Sequence, residues 1–270
     1  MIPAPFEYIA AESPEHALQL LAEHGDDAKV LAGGHSLLPM MKLRLATPEL
    51  LIDIGRLAAL AGVIADGDEL VIGATTRHAD LAASDLVRAD APLLAYAAAQ
   101  VGDPQIRHRG TIGGSLSHAD PAADLPLALG ALGGSMQLQG QGSTRLVSAD
   151  DFFQGYFETA LQPDELLTAV RVPRRPGVPW GYQKFVRRSN DWAIVGAAAV
   201  ADRIALASMG PTPMRAHAAE AALAAGASPA EAAALAAEGT SPGEDMHADR
   251  EYRQHLARVL TRRALEHQAA

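Results

Sequence analysis

Hydrophobic residues in the first sixty positions occur in short runs that alternate with amphipathic stretches. The runs at 6–10, 28–34 and 50–54 have the length and apolar content of β-strands. Between the first two runs, Ser13-Pro14 has the side chains of a helix N-cap and first position, and Gly25 marks the helix end. This order predicts an α/β unit whose second strand leads into a glycine loop.

The following hundred residues predict two hairpins, several helices and one long strand. A turn at Asp66-Gly67-Asp68 joins two runs rich in valine and isoleucine, which is typical of a hairpin. The composition of 174–179, RRPGVP, indicates a linker and the main domain boundary. The predicted elements are a hairpin at 62–73, a helical region at 76–99 interrupted near Pro92, a helix at 126–133, a hairpin turning at 140–142 and a strand at 165–173.

Beyond the linker, the pattern predicts one sheet followed by helices. Three apolar runs, GYQKFV, AIVGAAAVA and RIALASMG, have the pattern of successive strands. Helices follow over 213–226 and 249–267, and between them Ser228 and Glu231 form a capping box that opens another. The last helix carries its apolar residues on one stripe, which favours packing on the sheet. The chain as a whole is predicted to be α+β.

Composition and charge narrow the class of protein. Hydrophobic residues make up 49% of the 270, which is enough for a sizeable core. A formal net charge of −10 disfavours nucleic-acid binding, which needs a basic face. The chain has no cysteine and therefore cannot ligate an iron–sulfur cluster through its own thiolates. The absence of a signal peptide pattern and of an apolar run of about 20 residues predicts a cytoplasmic protein without a membrane span.

Two glycine-containing segments carry most of the candidate chemistry. The first, KVLAGGHSLL, delivers Gly33-Gly34 from a strand to a loop, and the second, GTIGGSLSHADPAAD, combines Gly113-Gly114 with hydroxyl side chains. Glycines let backbone N–H groups approach an anion because no Cβ intervenes. Neither segment matches a Walker loop or G-x-G-x-x-G. A tight turn explains either segment alone. When the two segments are taken together, a diphosphate cradle explains them as well as two separate turns do.

A metal site is the other interpretation of the second segment. His118, Asp120 and Asp124 supply three potential ligands within seven positions. Pro121 interrupts their geometry, and no second histidine or acidic cluster lies nearby in the sequence. Asp120 is also a good N-cap for a helix that has Pro121 at its first position. We therefore expect no metal, and we expect Asp120 to cap a helix.

The same two segments support recognition of a family. AGGHSLLPMMKLRLATPELLIDI and TIGGSLSHADPAADLP resemble the FAD-binding medium subunits of the molybdenum hydroxylases, in particular those of the carbon monoxide dehydrogenase type. The resemblance continues through DPQIRHRG, ELLTAVRVP, YQKF and RRSNDWAIVGAAA to the helical tail. It covers nearly the whole chain in the expected order, and the AGGHS and TIGG motifs are highly specific as a pair.

The resemblance implies a fold and a division of the chain. It implies a two-subdomain α/β FAD-binding module of the PCMH type, as in vanillyl-alcohol oxidase, with subdomains at 1–57 and 58–175. A C-terminal flavoprotein domain at 176–270 follows, built from a three-stranded sheet and a helical bundle. The boundary near residue 57 rests on the resemblance, whereas the second agrees with the linker composition.

The resemblance also implies which residues hold FAD. Both glycine loops would wrap the diphosphate, although Ser115 stands where many relatives have asparagine and offers a hydroxyl in place of an amide. Asp124 would accept from the ribose, Leu166 or Leu167 would lie against the adenine, and Lys184 and Trp192 would lie close to the flavin ring. The full implied set is Lys29, Val30, Leu31, Ala32, Gly33, Gly34, His35, Ser36, Leu37, Val101, Ile106, Gly110, Thr111, Ile112, Gly113, Gly114, Ser115, His118, Asp120, Asp124, Leu166, Leu167, Lys184 and Trp192.

The function implied is electron transfer within a larger complex. A partner subunit with a molybdenum cofactor would oxidise the substrate, and a [2Fe–2S] partner would relay electrons to FAD on this chain, which passes them to a quinone, NAD or oxygen. The family implies a dimer of heterotrimers. No catalytic acid or base is assigned to the chain, because the flavin performs the chemistry. The alternatives are a stand-alone FAD enzyme with its own substrate and a non-catalytic nucleotide-binding subunit.

Overall fold

A three-stranded parallel sheet forms the N-terminal part of the protein. The computed structural model describes residues 2–268. The strands and helices of this part are β1 (Glu7–Ala10), α1 (Pro14–His24), β2 (Ala28–Leu31), α2 (Leu37–Lys42) and β3 (Leu50–Asp53). The sheet order is β1-β3-β2 with both pairs parallel. Ser13 caps α1 and Gly25 ends it with a φ of 54°, as predicted.

A five-stranded antiparallel sheet and a layer of short helices make up the second part. The sheet order is β4-β5-β10-β6-β7, and β8 and β9 form a separate small hairpin. Its strands are β4 (Val63–Asp66), β5 (Glu69–Gly73), β6 (Ser135–Gln139), β7 (Thr144–Ser148), β8 (Phe153–Gly155), β9 (Glu158–Thr159) and β10 (Leu166–Pro173). Its helices are α3 (His78–Ala83), α4 (Asp85–Asp90), α5 (Pro92–Gln100), α6 (Pro104–Arg109), α7 (Ile112–His118), α8 (Asp124–Leu132) and α9 (Ala149–Phe152). Both predicted hairpins and the long strand are confirmed.

A four-stranded antiparallel sheet covered by helices forms the C-terminal part. Its strands are β11 (Trp180–Phe185), β12 (Val195–Val200), β13 (Arg203–Ala207) and β14 (Met214–Arg215), in this order across the sheet. Its helices are α10 (His217–Ala224), α11 (Pro229–Ala234) and α12 (Arg250–Glu266). The predicted sheet had three strands. Residues 214 and 215 pair with β13 instead of opening the helix predicted over 213–226, and α10 therefore begins at His217. The α+β class is confirmed.

Strand β12 is buried on both faces and joins the last two parts. Its residues alternate between two apolar clusters, as the two-residue period of a strand requires. Ala198 and Val200 belong to the cluster that includes α8, whereas Ala197 and Ala199 belong to the cluster that includes α12. The C-terminal sheet is therefore packed between α8 on one side and α12 on the other.

Gly181 of β11 packs directly on the backbone of α12 at Ala264, and we predict that Gly181→Ala destabilises the protein. A Cβ at this position would lie 1.9 Å from the carbonyl oxygen of Ala264, so the helix would have to move away. Overpacking of this kind costs about 1–3 kcal/mol of the free energy of unfolding. Thermal denaturation should show a lower Tm than for Gly142→Ala, where a Cβ meets no atom within 4 Å. Equal Tm values for the two variants would contradict this packing.

Within residues 2–268, no helix has the length and hydropathy needed to cross a bilayer.

Candidate functional site

The two glycine loops predicted from the sequence are in direct contact. Gly33 lies in the loop between β2 and α2, and a Cβ there would lie 2.6 Å from the carbonyl oxygen of Arg109 and 2.9 Å from the Cα of Gly110. Gly34 has a φ of 79°, a conformation that side chains with a Cβ rarely adopt. The first loop therefore approaches the backbone just before the second loop, and both positions require glycine.

The two adjacent glycines of the second predicted loop lie in the first turn of α7, just after its N-cap Thr111, and they face opposite ways. Gly113 donates its N–H to the carbonyl of Ala74 at 2.8 Å, and a Cβ there would lie 2.6 Å from the Cβ of Ala74 and 2.9 Å from Leu167. Gly114 is exposed, and within the described part of the chain the side-chain atom nearest to a Cβ there would be the Thr111 hydroxyl oxygen, at 2.8 Å. Thr111 caps α7 by accepting from the Gly114 N–H at 3.1 Å. Gly113 thus allows the loop to pack, whereas Gly114 leaves its outer side open.

A cleft of about 550 Å³ runs along both loops. Its volume falls within the range of about 300–1,000 Å³ that is typical of ligand and cofactor sites. Residues of the N-terminal sheet and α2, of α6 and α7, and of β10 contribute to its walls. The cleft therefore lies between the parallel sheet and the five-stranded part, with Trp192 reaching it from the C-terminal part.

Most of the residues implied by the family resemblance line this cleft. They are Lys29, Val30, Leu31, Ala32, Gly33, Gly34, His35, Ser36, Leu37, Val101, Ile106, Gly110, Thr111, Gly113, Gly114, Ser115, His118, Asp120, Asp124, Leu166, Leu167 and Trp192. Stretches that are far apart in the sequence are thereby brought to one surface.

Two of the residues that the family resemblance implies for FAD binding, Ile112 and Lys184, do not line the cleft. The side chain of Ile112 is fully buried in the main core, because the first residue of α7 faces inward. Lys184 on β11 points to the start of α8, where its Nζ lies 2.9 Å from one oxygen of Asp124 and 3.0 Å from the other. The lysine side chain is only 9% exposed, so this ion pair is closed to bulk solvent.

Asp124 is the buried end of a three-residue polar cluster. Tyr182 donates its hydroxyl hydrogen to the Asp124 carboxylate, next to the Lys184 ion pair. Burial, together with the neighbouring carboxylate, raises the pKa of Tyr182 well above its ordinary value, so this tyrosine stays protonated. The cluster connects α8 with β11 across the boundary between the last two parts. Asp124 also lines the cleft, where the role of ribose acceptor stays a prediction.

Asp120 does not cap a helix, so that expectation is wrong. Its carboxylate accepts from the N–H of Ala122 at 2.8 Å and closes a turn at Pro121–Ala122. Helix α8 begins only at Asp124, after Ala123, which provides no side-chain cap. An aspartate followed by proline satisfies a turn as well as a helix start, and here the turn is formed. Asp120 keeps a place on the cleft wall.

Trp192 lies where the cleft approaches a second cavity of about 580 Å³, and His118 lines the cleft alone. The imidazole of His118 packs on Phe157, with ring centroids 5.0 Å apart. Burial lowers the pKa of His118 and favours the neutral ring at pH 7. Trp192 is 56% exposed and, with Asp120, lines both spaces. The tryptophan is therefore a surface residue at the cleft mouth and not part of a sheet core.

Two groups on the cleft walls are notable among the lining residues that the sequence does not point to. One is the segment from the end of β9 to the residue before β10, whose composition is that of an ordinary turn. The other is His78 at the start of α3, which is 4% exposed. Burial, with repulsion from His35, Arg107 and Arg77, lowers the pKa of His78 to about 4, so its imidazole is neutral at pH 7. The residues of the first group are Thr159, Leu161, Gln162, Pro163 and Glu165.

Among the described residues, no group of three or more histidine, cysteine, aspartate or glutamate side chains is arranged to hold a metal ion. The cleft wall instead combines glycine backbone, hydroxyl groups and apolar side chains. Such a surface suits a phosphate-bearing ligand with flat aromatic rings. An open outer face at Gly114 beside the glycines of the first loop fits the diphosphate of a dinucleotide.

Comparison with known families agrees with this chemistry. Residues 4–175 match the family described as FAD binding domain in molybdopterin dehydrogenase, and residues 180–268 match the CO dehydrogenase flavoprotein C-terminal domain. Together they define an FAD-binding flavoprotein of an oxidoreductase complex. More specifically, the chain belongs to the CO dehydrogenase family of FAD-binding medium chains, which are subunits of molybdenum hydroxylases.

Individual relatives match over almost their whole lengths. The carbon monoxide dehydrogenase medium chain of Hydrogenophaga pseudoflava is 43% identical, with 98% of this chain and 97% of the relative covered. The 6-hydroxypseudooxynicotine dehydrogenase complex subunit alpha of Paenarthrobacter nicotinovorans is 39% identical, with 98% and 95% covered. A solved carbon monoxide dehydrogenase structure from Hydrogenophaga pseudoflava, lacking the Mo-pyranopterin moiety, superposes with a TM-score of 0.94 at 45% identity, and 98% of each chain is covered.

Proposed function

We propose that this chain is the electron-transfer subunit of a molybdenum hydroxylase complex. It would take electrons from the [2Fe–2S] clusters of a small partner subunit and deliver them to an external acceptor such as a quinone, NAD or oxygen. The observation that carries the proposal is the contact between the two glycine loops along one cleft, in a chain of this FAD-binding family. The absence of cysteine fits, because the iron–sulfur clusters must then be held by another chain.

The chain's residues would bind and orient the cofactor, whereas FAD supplies the redox chemistry when bound. The backbone at Gly33-Gly34 and Gly113-Gly114, with the hydroxyls of Ser36 and Ser115, would hold the diphosphate. Leu166 and Leu167 at the start of β10 would lie against the adenine, and Trp192 would lie beside the isoalloxazine. Lys184 would act on the cofactor through Asp124, since its Nζ contacts that carboxylate and not the cleft.

The proposed assembly follows from the family. A large subunit with the molybdenum cofactor would select and oxidise the substrate. The large subunit, the small subunit and this chain would form a heterotrimer, and two heterotrimers would form a dimer in the cytoplasm. The printed names of the relatives include a carbon monoxide dehydrogenase and a 6-hydroxypseudooxynicotine dehydrogenase complex. Substrate choice would then belong to the large partner. The subdomains at 1–57 and 58–175 and the domain at 176–270 stay a proposal.

The experiment that tests this function asks whether the chain acts alone. The FAD-loaded chain is mixed anaerobically with carbon monoxide, an aldehyde, a purine and an N-heterocycle, and the flavin absorption at about 450 nm is followed. We expect no bleaching by any of the four, and bleaching by dithionite. The tagged chain isolated from its own cells should carry both iron and molybdenum. Reduction by a substrate without partners would establish the stand-alone enzyme instead.

Trp192 provides a separate prediction about the flavin ring. The chain has two tryptophans, and Trp180 packs against Tyr96 with ring centroids 5.3 Å apart, away from the residues that line the cleft. Adding FAD to the apoprotein should quench tryptophan emission. Most of this quenching should disappear in Trp192→Phe and persist in Trp180→Phe. Quenching that is unchanged in Trp192→Phe would place the ring elsewhere in the cleft.

A further inference from the structure

His78 is fixed against the second glycine loop by its backbone. Its N–H donates to the carbonyl of Gly110 at 3.0 Å, and the N–H of Ile112 donates to the carbonyl of Thr76 at the same distance. Arg77 and Thr111 pair between these two bonds as an antiparallel bridge. The segment before α3 therefore runs beside the segment that opens α7. This pairing places the imidazole next to Gly110, the residue at which the two glycine loops meet.

The imidazole packs on Gly110 and faces the cleft. A Cβ on Gly110 would lie 2.7 Å from both Cδ2 and Nε2 of the ring, so only glycine fits there. The ring nitrogen Nδ1 is buried and has no hydrogen-bond partner among the described residues. The other ring nitrogen, Nε2, is not a buried atom without a partner. The ring nonetheless forms part of the cleft wall. A histidine that served only the core would be expected to have its ring nitrogens paired.

The protonation of the ring follows from these surroundings. Because the pKa is lowered to about 4, the imidazole carries a single N–H at pH 7. A buried N–H without an acceptor is rarer in proteins than an unpaired acceptor. The hydrogen is therefore best placed on Nε2, and the enclosed Nδ1 keeps its lone pair. This leaves one neutral donor on the cleft side of His78.

We propose that His78 is a cofactor-binding residue whose Nε2–H donates a hydrogen bond to the FAD held between the glycine loops. The inference rests on the proposed function, because it requires FAD in this cleft. In addition, the ring packs on Gly110 and so fixes the position at which the first loop meets the second. A neutral donor serves both purposes without adding a cation to a region that already contains Arg77 and Arg107.

The test compares His78→Phe, which keeps a flat ring but removes the donor, with His78→Gln, which keeps an N–H donor. FAD is titrated into each apoprotein at pH 6 and pH 8, with flavin fluorescence as the readout. His78→Phe should bind FAD about tenfold or more weakly, the typical loss of one hydrogen bond to a charged group. His78→Gln should stay within a few fold of the wild-type protein. The apoprotein Tm should not fall in His78→Phe, since an unpaired buried nitrogen is replaced by carbon.

The outcomes separate this inference from the function on which it rests. Equal FAD affinity in His78→Phe and wild-type protein would overturn the role of His78 and leave the function intact. Failure of the wild-type protein to bind FAD would overturn the function itself. If His78→Phe does not fold, His78→Gln decides, because loss of affinity in a folded His78→Gln chain would show that the imidazole acts by its shape and not as a donor. His35 and His118 also line the cleft. An affinity that rises between pH 8 and pH 6 in the wild-type protein but not in His78→Phe would indicate a cationic His78 and would also overturn the proposal.

Discussion

A Gly114→Val chain should lose its FAD. Gly114 is exposed on the cleft side of α7, and among residues 2–268 a Cβ there would meet the Thr111 hydroxyl and no other side chain within 4 Å. A branched side chain would therefore extend into the space beside the Gly33-Gly34 loop, where the diphosphate is proposed to lie. It would also press on the hydroxyl that caps α7. We expect no bound flavin after gel filtration, measured as the flavin-to-protein absorbance ratio.

The matched control is Gly142→Val in the turn between β6 and β7. This glycine also lacks a positive φ, and no atom lies within 4 Å of a Cβ built on it. The control variant should keep a full complement of FAD. Gly113→Val would be a poor comparison, because it collides with Ala74 and Leu167 and would disturb the fold. Flavin retained by Gly114→Val at the control level would refute the placement of the diphosphate.

Asp124→Ala should produce the largest loss of stability among simple substitutions at the site. The carboxylate is 3% exposed, and both of its oxygens are engaged by Tyr182 and Lys184. Its removal leaves a buried ammonium and a buried hydroxyl without partners. Breaking a buried ion pair in this way costs about 3–5 kcal/mol of the free energy of unfolding. Urea denaturation followed by circular dichroism would measure the loss.

A double variant separates the lost interaction from a general packing defect. Asp124→Leu combined with Lys184→Met replaces both charges with apolar groups of similar size, and such replacements are often close to neutral. The double variant should therefore be more stable than Asp124→Ala. If instead the free energy of unfolding of Asp124→Ala lies within about 1 kcal/mol of the wild-type value, the pair is not the buried contact between α8 and β11 that the structure indicates.

The glycine loops could be predicted from the sequence because their signals are local. In the first loop, adjacent glycines follow an apolar strand; in the second, they are flanked by hydroxyl residues and precede an apolar run. Both patterns indicate a close backbone approach. The family resemblance then supplied the expectation that both loops serve one ligand. Their contact, through Gly33 and the Arg109 carbonyl, is a tertiary fact that no local pattern contains.

The polar cluster of Asp124, Tyr182 and Lys184 could not be predicted from the residues alone. Asp124 and Lys184 are 60 positions apart, and their pairing depends on how α8 packs on the C-terminal sheet through β12 and β13. Lys184 was expected beside the flavin ring, but the buried carboxylate is its nearest partner in the structure. The fourth strand of the C-terminal sheet, β14, could not be predicted either, because a strand of two residues is too short to show the alternating pattern of a strand.

The position of His78 on the cleft wall could not be predicted from the sequence. A single histidine at a helix start has no pattern that distinguishes a cleft residue from a surface residue. Its pKa is lowered by burial and by repulsion from His35, Arg107 and Arg77, and its ring packs on Gly110. The residue becomes informative only when the segment before α3 is seen to pair with the second glycine loop.

The flavin content of the protein tests the central claim most directly. The chain, purified alone or with its partners, is incubated with FAD, freed of unbound flavin and examined by absorption spectroscopy. We predict equimolar FAD with a band at about 450 nm. A colourless protein that cannot be reconstituted with FAD would contradict the claim that this cleft holds the cofactor.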